Sequence, residues 1–533
     1  MRSDRVCTVM AALLSLAALY AAIRWGAWIA GGSDSYGYVS QAGYWQRGSL
    51  VIQEDVIRPS PWPGAALTWS PLGYRPSPRR PDAIVPLYAP GLPLLMALAQ
   101  AIAGFCGAFF VVPLCGALTV WLTYAVGRRV FDAPGTALWG AALVATSPVF
   151  LYQIMNAMSD VPVTAAWTLA LALTLSRRPL AAGFAMSAAI AIRPNLAPLA
   201  GVLLAWTLLV ERRERGARDA AAACLRLATG VAVSVIGVAA FNGVLYESPF
   251  TSGYGQTSDL YGLRFFSTNL RQFSVWIAEV ETPIVAAAAL FFLAPGLLPP
   301  AKVAFARVLL GGSLLVVLLS YLFYQPFDAW WYLRFLLPMW PVMMLSTAAA
   351  LESLARRWLR PVYPVAIAAA VAFGVWHGLR TGIDRHAFDL GLFERRYVDM
   401  ARFVAAHTEP DAVILSVQHS GSLRLYADRL TLRYDALDPL WLDRVVAHLQ
   451  ASGRRPYYVL DGGEVDAFRQ RFGSANRAGR LDWPPVALLS GGIALYDPIE
   501  RRPDTVPLAI SSTRRARGLC DLPQSWPPVL RMK

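Results

Sequence analysis

Long apolar stretches recur along this chain from residue 6 to residue 379, and few charges interrupt them. They occupy 6–23, 86–105, 107–126, 134–151, 161–176, 179–192, 195–210, 221–241, 274–298, 303–324, 334–351 and 361–379. A helix crossing a bilayer needs about 20 predominantly apolar residues. Only 15% of the 533 residues are charged, against about 25% in an ordinary soluble domain. With a mean hydropathy of +0.43, the chain lacks the polar surface a water-soluble fold of this size requires. A soluble enzyme, a disordered chain and a collagen-like repeat are excluded. The predicted fold class is an α-helical polytopic membrane protein.

The net charge is +14, but its distribution argues against nucleic acid as a partner. Arginines come in short runs between apolar stretches: Arg128-Arg129, Arg177-Arg178, residues 211–218 (ERRERGAR), and Arg356-Arg357 with Arg360. Cytoplasmic loops look like this under the positive-inside rule. No basic face is interleaved with aromatics as a base-stacking platform would be. The basic start MRSDR places the N-terminus inside, and 6–23 reads as a retained first helix rather than a cleaved signal peptide, because many spans follow. If 86–105 and 107–126 each crossed, every later arginine run would lie outside. One net crossing over that region puts all of them inside, giving about 11 transmembrane helices and placing the C-terminal region outside with the 31–85 loop. The setting is read as a bacterial inner membrane.

Three regions follow. Residues 1–380 form the membrane part; within it 31–85 is a long outer loop rich in Pro, Gly, Trp and Tyr, longer than a simple connector needs. Residues 381–500 have the composition of a small soluble α/β domain. Strands are predicted at 412–417, 457–460 and twice near 487–496, with helices at 393–406, 439–451 and 463–472. Residues 501–533 form a Pro- and Arg-rich tail predicted to be loosely ordered. The five cysteines form no CxxC pair and predict neither a disulfide framework nor a metal site. The five histidines show no HxxxH or HExxH spacing. No internal repeat is visible.

A charge at membrane depth costs roughly 2.5–3.5 kcal/mol on insertion scales, so such residues are functional candidates. Four stand out, all at the predicted outer face: Asp34 after the first helix, Asp160 in NAMSDVP, Arg193 in AIRPN, and Arg334 in WWYLRFLLP. Each has a bland reading as well. The acids can cap the helices they precede, and the arginines can snorkel to headgroups. Four at one face are harder to explain one by one.

The order of motifs resembles the GT-C superfamily of polytopic glycosyltransferases, especially bacterial members related to protein mannosyltransferases and aminoarabinose transferase. The matching pieces are SDSYGYVSQAGYW from Ser33, PLYAPGLPLL at 86–95, SPVFLYQIMNAMSDVP at 147–162, AIRPN at 191–195, FNGVLYESPFTSGYG at 241–255 and WWYLRFLLPMWP at 330–341. The resemblance covers about residues 1–380. It implies transfer of a sugar from a polyprenyl-phosphate donor to a lipid, polysaccharide or protein acceptor at the outer membrane face. Asp34 matches the family's acidic residue of the first outer loop, which acts as base or positions acceptor and metal; Asp160 matches a second acidic position. This chain has Ser-Tyr after Asp34 instead of a paired acid, and Tyr88-Ala89-Pro90 instead of His-Pro-Pro. A divalent metal and the acceptor type therefore stay open.

The residues suit that chemistry. A lipid phosphate is a good leaving group, so the site needs a base for the acceptor, which Asp34 supplies. It also needs cations for charge developing on the phosphate, and Arg334 and Arg193 are candidates. Further substrate-binding candidates are Tyr88, Tyr254 and Arg264, together with Glu54 and Asp55 in the first loop. A single attack without an enzyme nucleophile predicts inversion. The rival reading is a transporter or lipid flippase with an extracytoplasmic binding domain, which should place its polar residues at mid-membrane. Asp461 and Glu464 in the C-terminal region show no nucleophile–base pairing; acceptor binding is the role expected of that region.

Overall fold

The computed structural model describes residues 2–293, 302–504, 506–511 and 520–522. Helix α1 (Arg2–Trp25) leads into a loop and then α2 (Asp34–Gln46). The loop that follows folds on its own terms. It carries β1 (Ile52–Gln53), β2 (Tyr74–Pro76) and β3 (Ala83–Pro86) in an antiparallel sheet of order β1-β3-β2. Trp62, Trp69, Tyr74 and Ile84 are buried beneath it, so its aromatic richness builds a core.

The bundle comprises α3 (Gly91–Ala103), α4 (Val111–Val130), α5 (Pro134–Thr146), α6 (Pro148–Ile154), α7 (Asp160–Leu175), α8 (Pro179–Ile192), α9 (Leu199–Arg215) and α10 (Ala217–Tyr246). After these come α11 (Phe266–Val280), α12 (Ala287–Leu293), α13 (Ala306–Leu322), α14 (Trp340–Trp358) and α15 (Tyr363–Asp384). Among the described residues six helical segments are long and apolar enough to cross a membrane. They are Asp4–Trp25, Phe105–Val130, Pro194–Arg215, Ala217–Tyr246, Trp330–Trp358 and Tyr363–Asp384. The pair α5–α6 makes a seventh if its 61° bend is one span. That bend has a local cause: Ser147 Oγ accepts the Phe150 N–H at 3.2 Å and Pro148 opens the new helix. The remaining apolar helices have 10–17 residues. Residues 294–298 of the predicted 274–298 stretch lie outside the described residues.

Of the two apolar stretches between 86 and 126, only the second makes a helix of spanning length. Helix α3 has 13 residues, roughly 20 Å at the helical rise. Gly104, at φ +67°, ends it, and the chain folds back so closely that a Cβ on Gly107 would lie 2.1 Å from the Ala99 carbonyl oxygen. Small residues also set the contact of α8 with α10, where a Cβ on Gly183 would lie 2.3 Å from the Leu227 carbonyl oxygen.

From residue 395 the chain alternates helices and strands. The elements are α16 (Arg395–His407), β4 (Val413–Leu415), α17 (Ser420–Ala427), β5 (Leu430–Leu432), α18 (Leu442–Ala451), β6 (Pro456–Leu460), α19 (Glu464–Phe472), β7 (Ala487–Leu489), β8 (Ile493–Tyr496) and β9 (Leu508–Ile510). Sheet order is β5-β4-β6-β8-β7-β9, with β4 parallel to both β5 and β6. Alternate strand residues face different cores, as a two-residue period dictates. Ile414, Tyr457 and Val459 join the core that runs through the membrane bundle, whereas Val413, Leu415, Tyr458 and Leu460 share one with Trp62 and Trp69 of the outer loop. The sheet is thus packed against both earlier parts of the chain.

One expectation is corrected here. Cys106, at the turn into α4, is disulfide-bonded to Cys520, across a sequence separation of 414 residues. Spacing rules see only local pairs, so a bond of this range escapes them. Among the described residues beyond 500, β9 pairs with β7, and the Asp521 carboxylate bonds Arg402 at 2.5 Å. The expectation for 512–519 and 523–533 lies outside the described residues.

Candidate functional site

The site is assembled from four chain breaks. Asp34 opens α2 directly after Gly31-Gly32-Ser33, and a carboxylate in a first helical turn suits the positive end of the helix dipole. Gly31 has to be glycine, because a Cβ there would fall 2.2 Å from the Tyr397 ring of α16. Asp160 likewise opens α7. Arg193 ends α8 in extended geometry (φ −139°, ψ 91°) because Pro194 follows and disfavours the helical region. Arg334 projects from the 3-10 segment Trp330–Met339 that precedes α14.

These four side chains meet in an alternating row of charge. Arg334 Nη2 donates to Asp34 Oδ2 at 2.9 Å, and Arg334 Nη1 lies 3.9 Å from Asp160 Oδ2. Arg193 Nη2 donates to Asp160 Oδ1 at 2.5 Å. Arg193 also donates through Nε to Ser159 Oγ at 3.2 Å and through Nη1 to the Tyr321 hydroxyl at 3.3 Å. The Phe335 ring lies under both guanidinium groups, 5.5 Å from Arg193 and 5.2 Å from Arg334. Exposure is greatest at the Asp34 end, with Arg193 at the other end 11% exposed. Asp160 is 1% exposed, Arg334 13% and Asp34 25%, so the row opens at Asp34. Two buried atoms, Asp160 Oδ2 and Arg334 Nε, make no hydrogen bond among the described residues. Such orphaned groups are costly in a finished core and call for a partner.

Tyr88 completes the open end. Its hydroxyl donates to Asp34 Oδ1 at 2.8 Å and lies 2.9 Å from Ser33 Oγ. Burial pushes its phenol well above the usual tyrosine range, so it stays a neutral donor. Tyr254 arrives from the second outer loop with its ring 6.0 Å from Tyr88. That turn is held by Arg75, which donates to the Gly253 carbonyl at 2.9 Å. Gly253 sits so close to Leu87 that a Cβ would lie 2.1 Å from its carbonyl oxygen.

The structure therefore brings together Asp34, Asp160, Arg193, Arg334 and Tyr88, with Tyr254 at the edge. It does not bring in the other three candidates. Glu54 is buried in an ion pair with Arg424 of α17, Asp55 is exposed, and Arg264 is exposed with its guanidinium 4.7 Å over the Phe265 ring. Sequence reasoning passed over Ser159, Tyr321 and Phe335, which line the row. Tyr38 belongs with them, since its hydroxyl donates to Ser159 Oγ at 3.0 Å. Only Ser159, beside Asp160, carried a usable signal. Glu281 was missed as well. This buried carboxylate accepts from Ser147 Oγ at 2.5 Å and from Trp340 Nε1 at 3.2 Å, and an acid within an apolar stretch was the available cue.

The donor set does not fit a metal. Both carboxylates of the row are paired with arginine, and among the described residues no group of three or more His, Cys, Asp or Glu side chains is arranged to hold an ion. The row offers instead a partly open carboxylate beside two guanidiniums, a set suited to moving a proton next to an anionic oxygen.

Comparison with known proteins bears on the fold. A family model described as a domain of unknown function (DUF6311) matches residues 65–275. No curated protein matches the sequence. Among solved structures, ArnT from Cupriavidus metallidurans bound to undecaprenyl phosphate superposes with a TM-score of 0.55 at 11% identity, covering 92% of this chain and 98% of that one. The Archaeoglobus fulgidus oligosaccharyltransferase tethered to an acceptor peptide gives 0.54 at 13% identity, covering 93% and 74%. The same archaeal enzyme, AglB, in complex with an inhibitory peptide and a dolichol-phosphate, also gives 0.54 at 12% identity, covering 93% and 74%. This chain is a multi-pass membrane protein with the GT-C fold of these glycosyltransferases.

Proposed function

We propose that this protein is an inverting membrane glycosyltransferase that moves a sugar from a polyprenyl-phosphate donor to a lipid, polysaccharide or protein acceptor. The observation that carries the reading is the row Asp34–Arg334–Asp160–Arg193, two acids alternating with two arginines and open at Asp34. The acceptor nucleophile attacks the anomeric carbon while Asp34 takes its proton. The bond from that carbon to the phosphate oxygen breaks, and the phosphate leaves with the electron pair. Arg334, whose Nε is free of hydrogen bonds, stabilises the departing charge. Arg193 and Asp160 hold Arg334 in place and keep the row neutral overall. One displacement with no enzyme nucleophile inverts the anomeric centre. Tyr88 orients Asp34, and Tyr254 borders the donor sugar.

The arrangement in the membrane belongs to the same proposal. About 11 crossings are reached when the shorter apolar helices complete the bundle, with the 31–85 loop and the α/β region outside a bacterial inner membrane. The Cys106–Cys520 bond supports that side, since disulfides persist in oxidising compartments. The α/β region, packed on the outer loop, acts as an acceptor-binding domain.

The test is sugar transfer by purified protein in lipid, offered a panel of polyprenyl-phosphate sugars, with Asp34→Asn beside the parent. Transfer that collapses in the mutant while the protein stays folded supports the reading. Equal rates in both would remove Asp34 as base. No transfer from any donor, with donor lipid translocated across the bilayer instead, would replace the enzyme with a flippase.

A further inference from the structure

Helix α2 has two working faces, and the transfer centre uses only one. Asp34 and Tyr38 lie on the face toward Tyr88 and Ser159. Tyr36, Ser40 and Tyr44 recur at intervals of four and so line the opposite face. There they border a cavity of about 300 Å³ between the outer loop and the α/β region. Tyr74 of β2 forms a second wall, and Arg424 and Asp428 at the end of α17 form a third. A volume of this order is at the lower end for small-molecule sites.

The chemistry of the walls selects among ligands. Three tyrosine rings lie side by side, with Tyr74 centred 5.8 Å from Tyr36 and 6.1 Å from Tyr44. Burial raises the pKa of all three phenols, so they remain neutral hydroxyls. The arginines at the cavity suggest an anion, but their bonds say otherwise. Arg424 donates to Thr431 Oγ1, the Thr431 and Trp69 carbonyls, and the Glu54 carboxylate. Arg429 donates to Thr408 and to the Ala405 and Ala427 carbonyls. Both hold the fold together. Arg47, the third arginine of the lining, lies with its guanidinium 5.1 Å over the Tyr44 ring, and with Asp428 it leaves one exposed cation and one exposed carboxylate at the cavity. The wall that remains is the carboxyl end of α17, with its partial negative charge, and the exposed carboxylate of Asp428. The Tyr74 hydroxyl is bonded to Ser40 Oγ at 2.7 Å. The tyrosine rings, the neutral hydroxyls of Tyr36 and Tyr44 and a carboxylate acceptor describe a site for a hydroxyl-rich, uncharged ring.

We propose that this cavity binds a neutral saccharide unit, against the tyrosines and with hydroxyls donated to Asp428. The site lies on the far face of the catalytic helix, so it holds a sugar other than the one being transferred. Resting on the transferase reading, that sugar belongs to a glycan already present on the acceptor.

Binding can be measured without turnover. The probe is a set of neutral and uronic-acid-bearing oligosaccharides, read by saturation-transfer NMR on the full chain in lipid nanodiscs. Neutral members should bind. Ile52→Trp, which fills the cavity from β1, should weaken them by about tenfold or more. Asp428 has φ +53°, a region Asn tolerates, so Asp428→Asn should fold and weaken binding about fivefold, the worth of one or two hydrogen bonds. Asp34→Asn should bind like the parent. Binding that survives Ile52→Trp, binding lost in Asp34→Asn, a preference for the acidic saccharides, or none held by the parent would each overturn the proposal. If Ile52→Trp does not fold, Asp428→Asn decides. Saccharide binding without any transfer would leave this site standing and sink the transferase reading alone.

Discussion

Arg334 and Arg424 look alike on every simple measure. Each is nearly buried, at 13% and 14% exposure, and each pairs with a carboxylate of the first outer region, Asp34 or Glu54. They differ in what the rest of the guanidinium does. Arg424 donates through all three nitrogens to oxygens of its own fold. Arg334 donates through Nη1 to Met158 Sδ at 2.6 Å, leaves Nε without a hydrogen bond among the described residues, and reaches Asp160 only at 3.9 Å. A saturated arginine is a staple, because nothing further can bind it without breaking what it holds. An unsaturated one has a position ready for another oxygen. Donor occupancy tells these two arginines apart. The Nε atoms of Arg396, Arg455 and Arg471 are likewise without a hydrogen bond among the described residues, so it is the row of charge together with the open donor that marks the site.

The sharpest way to break that contrast is to remove one charge from each pair. Asp34→Asn should lower the transfer rate by about a thousandfold, within the range for a lost general base, while its thermal midpoint stays near the parent's. Single-turnover transfer and thermal unfolding on the same preparations read both quantities. The arginines come next. Arg334→Lys keeps the charge but loses the planar fork, and should cost about a hundredfold in rate, the worth of one oxyanion donor. Arg424→Lys should instead lower the unfolding midpoint and leave the rate per folded molecule within about twofold. A large rate loss in Arg424→Lys would show that the staple is part of the machinery. Glu54→Gln should destabilise by about 2 kcal/mol, the cost of weakening a charge-assisted hydrogen bond. Denaturant unfolding would show it, again with transfer intact.

How much of this was legible follows from what a sequence exposes. The four charges of the row stood out because a charge in an apolar chain is expensive, wherever its partner lies. Glu54 was equally visible, yet its partner Arg424 is 370 residues away and its saturation is a matter of geometry. Strands β4 and β6 lie in the apolar runs AVILSV and YYVL, whereas β5, flanked by Arg429 and Arg433, and β9, within VPLAISST, lie in no such run and escaped. Helix α17 reads as SGSLRLYA, too short for a period to declare itself. Phe335 and Tyr321 could not be picked out of an aromatic-rich chain. Their role is to lie under or beside guanidiniums brought from α8 and the segment before α14.

A half-buried carboxylate with no guanidinium beside it completes the comparison and gives the smallest expected effect. Glu464 accepts the Asp461 N–H at 2.9 Å and the Gln418 N–H at 3.4 Å, and burial pushes its carboxyl from the ordinary 4.5 up to about 7. The folded chain then holds this proton more tightly than the unfolded chain does. Its contribution to stability is therefore full below about pH 4.5 and is lost as pH rises through about 7. Glu394, also pushed to about 7 by burial, acts in the same direction. Glu464→Gln mimics the protonated form at every pH. Its unfolding midpoint should fall less steeply than the parent's between pH 5 and 8, with the residual slope left by Glu394. A double Glu394→Gln, Glu464→Gln variant should flatten it further. Identical slopes in parent and single variant would mean that the backbone N–H groups stabilise the carboxylate enough to offset its burial. Glu464 would then be held by amides much as Glu54 is held by Arg424.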